Sequence, residues 1–246
     1  IYSTFLQRAI DQVAHDISLM EIPIVVGIDR AGLVGGDGPT HQGVYDIAFL
    51  RPIPNIVILA PKDENELQHM VHTAVHSNQA VFIRYPKEPG QGVKMDTDLK
   101  EIPIGKSEVV REGKDAVIIA VGTLVYRAIE AAEKLFETDK LDVAVINIRS
   151  LKPIDKETIV KYIRKTRKII TVEDGIRSGG LSTIIRELLI SEQIKRTAIM
   201  SLGVSEEIID VATREELLEQ YHLNGPGIYN EAREFLKKSK IPFLKI

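Results

Sequence analysis

The stretch Ile56-Val57-Ile58-Leu59-Ala60-Pro61-Lys62-Asp63, answered further on by Ala80-Val81-Phe82-Ile83-Arg84 and stopped by Pro86, decides the fold. Both apolar runs are short and rich in β-branched residues, the pattern of strands buried on two faces. Asp63 stands where it can cap a helix running to about Ser77. Strand, helix and strand in that order make a parallel pair joined by a crossover. Upstream, residues 23–29 form another apolar run. Before it, Phe5, Leu6, Ala9, Ile10, Val13, Ala14 and Ile17 recur at helical spacing, with Ser3 or Thr4 as cap, so a helix is expected over 2–15. Residues 44–50 read as a short helix stopped by Pro52.

Downstream, residues 87–104 lose apolar periodicity and gather Gly, Pro, Lys and Asp, as a linker does. The alternation then restarts. Strands are expected at 116–121, 143–148, 168–172 and 197–202, and helices at 125–136, 155–164, 181–190, 214–221 and 228–238. The whole predicts two doubly wound, mostly parallel-sheet α/β domains, residues 1–95 and 96–246. Ligands of such sheets sit beyond the carboxyl ends of the strands. Asp29, Arg30 and Arg84 follow strands and fall at that edge.

Composition narrows the function classes. Lys and Arg total 32 against 35 Asp and Glu, a formal net charge of -3, so no global basic field favours nucleic acid or an anionic membrane. The absence of cysteine excludes disulfides, thiolate zinc sites and cysteine nucleophiles. It fits a reducing compartment, and a cytoplasmic location is expected. No apolar run approaches the roughly 18 residues of a membrane span. The chain opens on Ile1 and reads at once as helix, so it is expected to begin inside a domain.

Chemistry concentrates in Asp29-Arg30-Ala31-Gly32-Leu33-Val34-Gly35-Gly36-Asp37-Gly38-Pro39-Thr40-His41-Gln42-Gly43. A glycine-rich loop carrying two acids, an arginine and a histidine suits a polar, anionic ligand and a proton transfer. Elsewhere, His69, His72 and His76 share one helix face, which raises zinc only to dismiss it in favour of a solvated face, because no acid completes a known spacing. Glu173-Asp174-Gly175 and Gly179-Gly180-Leu181 read as a tight turn joining strand to helix.

Asp29-Arg30-Ala31-Gly32 with Gly38-Pro39-Thr40-His41-Gln42-Gly43 resembles the transketolase superfamily of thiamine diphosphate enzymes. The opening Ile1-Tyr2-Ser3-Thr4-Phe5-Leu6-Gln7-Arg8-Ala9, then Leu50-Arg51-Pro52-Ile53-Pro54-Asn55 and Ala60-Pro61-Lys62-Asp63-Glu64-Asn65-Glu66, sharpen this to the 1-deoxy-D-xylulose 5-phosphate synthase family. The resemblance covers nearly the whole chain, most specifically residues 1–86. It implies part of a pyrimidine-binding domain followed by the C-terminal domain, and a decarboxylating condensation of pyruvate with glyceraldehyde 3-phosphate. By motif position it implies Phe5 stacked on the aminopyrimidine ring of thiamine diphosphate and Arg8 near that ring. Arg30, Arg84 and Tyr2 would bind the acceptor phosphate, Asp37 the acceptor hydroxyl, and His41 the reacting oxygens. Two guanidinium forks after different strands can converge on one phosphate. Asp29 would orient Arg30 or simply end its strand.

The same resemblance implies a glutamate upstream of the Tyr-Ser-Thr-Phe segment and a diphosphate-binding domain with magnesium ligands, neither within these residues. This chain alone is therefore expected to hold neither magnesium nor tight thiamine diphosphate and to show no turnover. Its first sheet is expected to lack a strand and expose an apolar edge. A homodimer is expected. Two other readings stay open: another thiamine enzyme, such as a transketolase or a 2-oxoacid dehydrogenase β subunit, and a non-catalytic dimerisation module.

Overall fold

The computed structural model describes residues 1–238. The chain begins with α1 (Ser3–Leu6), a 3₁₀ turn (Gln7–Ala9), α2 (Ile10–Gln12) and a π turn (Val13–Ser18). Then come β1 (Val25–Ile28), a 3₁₀ turn (Pro39–His41), α3 (Asp46–Leu50), β2 (Ile56–Leu59), α4 (Glu64–His76) and β3 (Ala80–Arg84). The second half holds β4 (Glu108–Arg111), β5 (Ala116–Ala120), α5 (Leu124–Asp139), β6 (Val143–Asn147), β7 (Ser150–Lys152) and α6 (Lys156–Thr166). It closes with β8 (Lys168–Ile176), α7 (Leu181–Ser191), β9 (Ala198–Val204), α8 (Arg214–Gln220) and α9 (Gly225–Lys238).

Two α/β sheets result, in the orders β1-β3-β2-β7 and β4-β6-β5-β8-β9. In the first, β1, β3 and β2 are parallel. In the second, β6, β5, β8 and β9 are parallel. Four of the apolar runs predicted as strands, β2, β3, β5 and β6, are buried at every residue, because helices or the other sheet cover both faces, whereas the edge strands β1 and β9 are only partly covered. One apolar cluster runs through both sheets, with Ile28, Ile58 and Phe82 from the first and Ile119, Ile146 and Ile169 from the second. Asp63 accepts the Glu66 N–H at 2.7 Å and Asp155 accepts that of Thr158 at 3.2 Å, so both helix starts stand where a capping acid puts them.

Four features depart from the sequence reading. The opening helix is not continuous. Its backbone passes through 3₁₀ and π turns, which let Leu6, Val13 and Ser18 all face inward, and Ser18 donates to the Pro54 carbonyl at 2.7 Å. Its N-cap is Tyr2, without a side-chain cap, while Ser3 Oγ donates to Gly43 O and Thr4 Oγ1 to Thr40 O. β8 runs on to Ile176, so Glu173 and Asp174 are buried strand residues rather than a turn. Two short antiparallel strands were not foreseen: β4 beside β6, and β7, which leaves the second half of the chain to pair with β2.

The stretch 87–104 is a docked strap. Glu64 accepts the N–H groups of Gln91, Gly92 and Val93, and Thr73 Oγ1 accepts that of Ile102. His69 is buried on the same strap, with Nδ1 accepting the Lys100 N–H at 3.1 Å and Nε2 3.0 Å from Asp96 Oδ2. The His72 and His76 rings meet at a tilt, with centres 4.4 Å apart. At the outer edge of the first sheet, Tyr2 bridges Asp29 in parallel beside β1, and Ile22, Ile24 and Val25 are exposed.

Candidate functional site

The glycine-rich segment leaves the carboxyl end of β1 as a loop closed at its base. Gly32 and Gly43 exchange backbone hydrogen bonds of 2.8 and 2.9 Å. Gly43 is required by close approach: a Cβ there would lie 1.9 Å from the Arg30 carbonyl oxygen. Inside the loop, the Gln42 amide holds both backbone groups of Val34, accepting its N–H at 2.8 Å and donating to its carbonyl at 3.0 Å. Asp29 settles as the residue that orients Arg30. Arg30 takes a left-handed backbone, φ 57°, and Asp29 accepts its N–H at 2.7 Å and its Nη1 at 2.5 Å.

This folding brings Tyr2, Phe5, Arg30, Asp37 and His41 into one contiguous patch. The Tyr2 and Phe5 rings stack at 5.5 Å, and Phe5 meets the His41 ring edge-on at 5.5 Å. The Arg30 guanidinium carbon lies 3.7 Å from the centre of the Tyr2 ring. Arg30 Nε is buried without a hydrogen-bond partner among the described residues, and Asp37 Oδ2 makes only a charge contact with it at 3.5 Å. Lys87 Nζ donates to Asp37 at 3.0 Å. That ammonium, with Arg30 behind it, holds the Asp37 carboxyl below the ordinary aspartate range. His41 Nδ1 lies 2.9 Å from Thr40 Oγ1. Phe5 is 40% exposed, so its ring is available to a ligand. The patch can grip an anion, stack on a flat ring and exchange hydrogen bonds with hydroxyl or carbonyl oxygens.

Two expected residues stand elsewhere. Arg8 is exposed on the 3₁₀ turn after α1, outside the patch. Arg84 is braced from within the protein by two buried carboxylates. It is 4% exposed, and two of its three nitrogens are engaged inside the protein: Nε donates to Asp46 at 3.0 Å and Nη2 to Asp174 at 3.1 Å. A guanidinium between two buried carboxylates offers those hydrogen bonds to no ligand. Burial raises the Asp46 carboxyl despite Arg84, whereas at Asp174 the pull of Arg84 and Arg214 overcomes burial and lowers it.

Sequence reasoning missed Lys87, Asp46, Asp174 and Arg214. Arg214, the first residue of α8, donates through Nε to Glu88 at 2.8 Å, through Nη2 to Asp174 at 3.2 Å and through Nη1 to the Leu33 carbonyl at 2.5 Å. Lys87 carried a readable signal, a cation just beyond the carboxyl end of a predicted strand. Asp46 and Arg214 sit in helix patterns that give none, and Asp174 falls in the segment whose sequence reads as a tight turn.

Beside Asp174, Glu173 accepts the Leu181 and Ser182 N–H groups at the start of α7, yet burial pushes its carboxyl up to about 8. Among the described residues no three His, Asp or Glu side chains gather closely enough to hold a metal ion. The half-exposed Phe5 ring and the orphaned Arg30 Nε fit the flat end of a thiamine-type cofactor and an anionic acceptor.

Residues 1–91 match the transketolase pyrimidine binding domain, and residues 105–228 the transketolase C-terminal domain. Among curated proteins, 1-deoxy-D-xylulose-5-phosphate synthase 1 of Geobacter metallireducens is 45% identical over 96% of this chain and 38% of its own length. The 1-deoxy-D-xylulose-5-phosphate synthase of Pelotomaculum thermopropionicum is 46% identical over 98% of this chain and 38% of its own length. The chain thus spans well under half of these relatives. Among solved structures, a split gene transketolase described as an inactive beta4 tetramer superposes with a TM-score of 0.84 at 28% identity, over 96% of this chain and 75% of that one. With both domain matches falling on the two sheets, and the second alone spanning half its residues, the chain belongs to the transketolase family.

Proposed function

We propose that the chain is the acceptor-binding part of a thiamine diphosphate-dependent 1-deoxy-D-xylulose 5-phosphate synthase, which joins pyruvate to glyceraldehyde 3-phosphate with loss of carbon dioxide. The observation that carries this is the patch in which Arg30, with its unpartnered Nε, lies against Tyr2, Phe5 and Asp37. The relatives above supply the reaction.

Thiamine diphosphate, with its aminopyrimidine ring held at Phe5, would supply the electron sink for decarboxylation and carbon–carbon bond formation. Phe5 offers its open face to the aminopyrimidine ring, and Arg8, exposed on the following 3₁₀ turn outside the patch, borders the cofactor rather than the acceptor. Arg30 and the Tyr2 hydroxyl bind the acceptor phosphate, and stacking on Tyr2 fixes the plane of the Arg30 fork. Asp37, kept ionised by Lys87, accepts from the acceptor hydroxyl. His41 hydrogen-bonds the oxygens that gain or lose charge, its ring steadied by Thr40 and Phe5. Magnesium and the diphosphate fall to residues that the longer relatives carry outside the matched stretch. The division into residues 1–95 and 96–246, a homodimeric core and a cytoplasmic location belong to the same reading.

The inactive split-gene neighbour favours a further point, that activity needs the part of the enzyme that the relatives carry outside the matched stretch. The test follows carbon dioxide release from pyruvate and D-glyceraldehyde 3-phosphate, with the chain alone and with a polypeptide covering the missing part of a relative. Turnover is expected only in the mixture, and Arg30→Gln should raise the KM for the aldehyde at least tenfold, about the worth of one charge-assisted hydrogen bond. A mixture that turns over a ketose phosphate but not pyruvate overturns the assignment in favour of a transketolase.

A further inference from the structure

In the five-stranded sheet the strand order changes direction at β5, with β6 on one side and β8 and β9 on the other. The crevice beyond the carboxyl ends of strands at such a point is where an open α/β sheet binds a ligand. Here that crevice is filled by the protein's own glycine-rich loop. Gly32 lies against the Asp174 carboxylate, and the Gly36 N–H donates to the Ala212 carbonyl at 2.9 Å, just ahead of α8. Arg214 ties the contact together, spending three nitrogens on three acceptors: Glu88, Asp174 and the Leu33 carbonyl. Its helix start is made rigid by a capping box between Thr213 and Glu216. Residues 33–36 therefore hang on the second sheet, and Asp37 and His41 follow them directly.

We infer that Arg214 is a positioning residue: its fork, anchored on Asp174 and Glu88, sets the placement of residues 33–36 and through them of Asp37 and His41 at the acceptor site. The inference rests on the acceptor-binding reading above, and it gives the C-terminal half of the chain a part in that site. Lysine at 214 would keep the charge beside Asp174 but cannot reach three acceptors in one plane. A role in stability alone would tolerate that exchange, while a role in loop placement would not.

The test uses the whole 246-residue chain, uniformly ¹⁵N-labelled, as wild type, Arg214→Lys and the milder Glu88→Gln. Amide hydrogen exchange is read at Val34 and Gly36 and, for reference, at Ile118 and Ile146 in the second sheet. D-Glyceraldehyde 3-phosphate is titrated in parallel and followed at the Gly38 and Thr40 amides. In Arg214→Lys, exchange at Val34 and Gly36 should rise about tenfold, the weight of one buried hydrogen bond, with Ile118 and Ile146 unchanged. Affinity for the aldehyde phosphate should fall by a similar factor, and Glu88→Gln should move both in the same direction by less. Loop amides protected as in wild type, or loop and sheet amides loosening together, overturn the inference. A wild-type chain indifferent to the aldehyde phosphate sinks the acceptor reading instead, and the exchange data still decide what holds the loop.

Discussion

Replacing Gly43 by alanine puts one methyl group where the loop has no room. The new Cβ would stand 1.9 Å from the Arg30 carbonyl oxygen, 2.9 Å from the Ser3 Cβ and 3.0 Å from the Ala31 Cα. Two of these are backbone atoms and cannot rotate away. Relief requires the loop base to open, which breaks the paired hydrogen bonds between Gly32 and Gly43 and strains the bond from Ser3 Oγ to Gly43 O. At about 1 kcal/mol per lost bond, with the groups left half-buried, Gly43→Ala should cost about 2–4 kcal/mol. For a chain of this length that lowers the melting temperature by about 5–15 °C. Gly36→Ala is the control: its backbone has φ 82° but nothing lies within 4 Å of the added Cβ, so only left-handed strain of about 1 kcal/mol applies. Differential scanning calorimetry on the two variants separates the effects. Equal melting temperatures for both, or Gly43→Ala within about 2 °C of wild type, would refute the close-approach argument.

Three other outcomes are expected. Lys87→Met should raise the Asp37 carboxyl, read by carboxyl ¹³C shifts against pH, and an unmoved titration would separate Lys87 from the site. Because Glu173 is raised by burial to about 8 in the folded chain, its contribution is full below its unfolded value and is lost as pH rises toward 8. Urea unfolding should therefore show stability falling between pH 5 and 8 by at most about 1.4 kcal/mol per pH unit from this group, and Glu173→Gln should flatten that slope. Asp155→Ala removes the cap of α6 and the acceptor for the Ser107 N–H, and should cost about 1–2 kcal/mol in the same urea experiment.

What could be read from the sequence was what adjacent residues decide. The apolar runs at 56–59 and 80–84, the capping acids Asp63 and Asp155, and the loop carrying Arg30, Asp37 and His41 are local signals, and the structure places these elements accordingly. Arg84 shows the limit. Its place after a strand was legible, but the direction of its fork depends on Asp46 and Asp174, and Asp174 lies in another sheet. The same distance hid Arg214, whose three acceptors belong to three separate segments. The opening helix misled for the opposite reason: its apolar spacing is helical on average, while the backbone changes register twice to bury Val13 and Ser18. β7 was invisible because three residues carry no period.

That three-residue strand governs the order in which the polypeptide can be assembled. β2 is complete on one side with β3, but its other neighbour is β7, in register at Ile58–Lys152 and Leu59–Ser150. During synthesis the first sheet must wait, with an unpaired strand edge, until β5 and β6 have emerged and Ser150 to Lys152 can return to it. Contacts between such distant segments form late and slowly. A nascent chain halted in the strap after β3 would display the β2 edge to its neighbours, making that interval the time of greatest risk for pairing between chains.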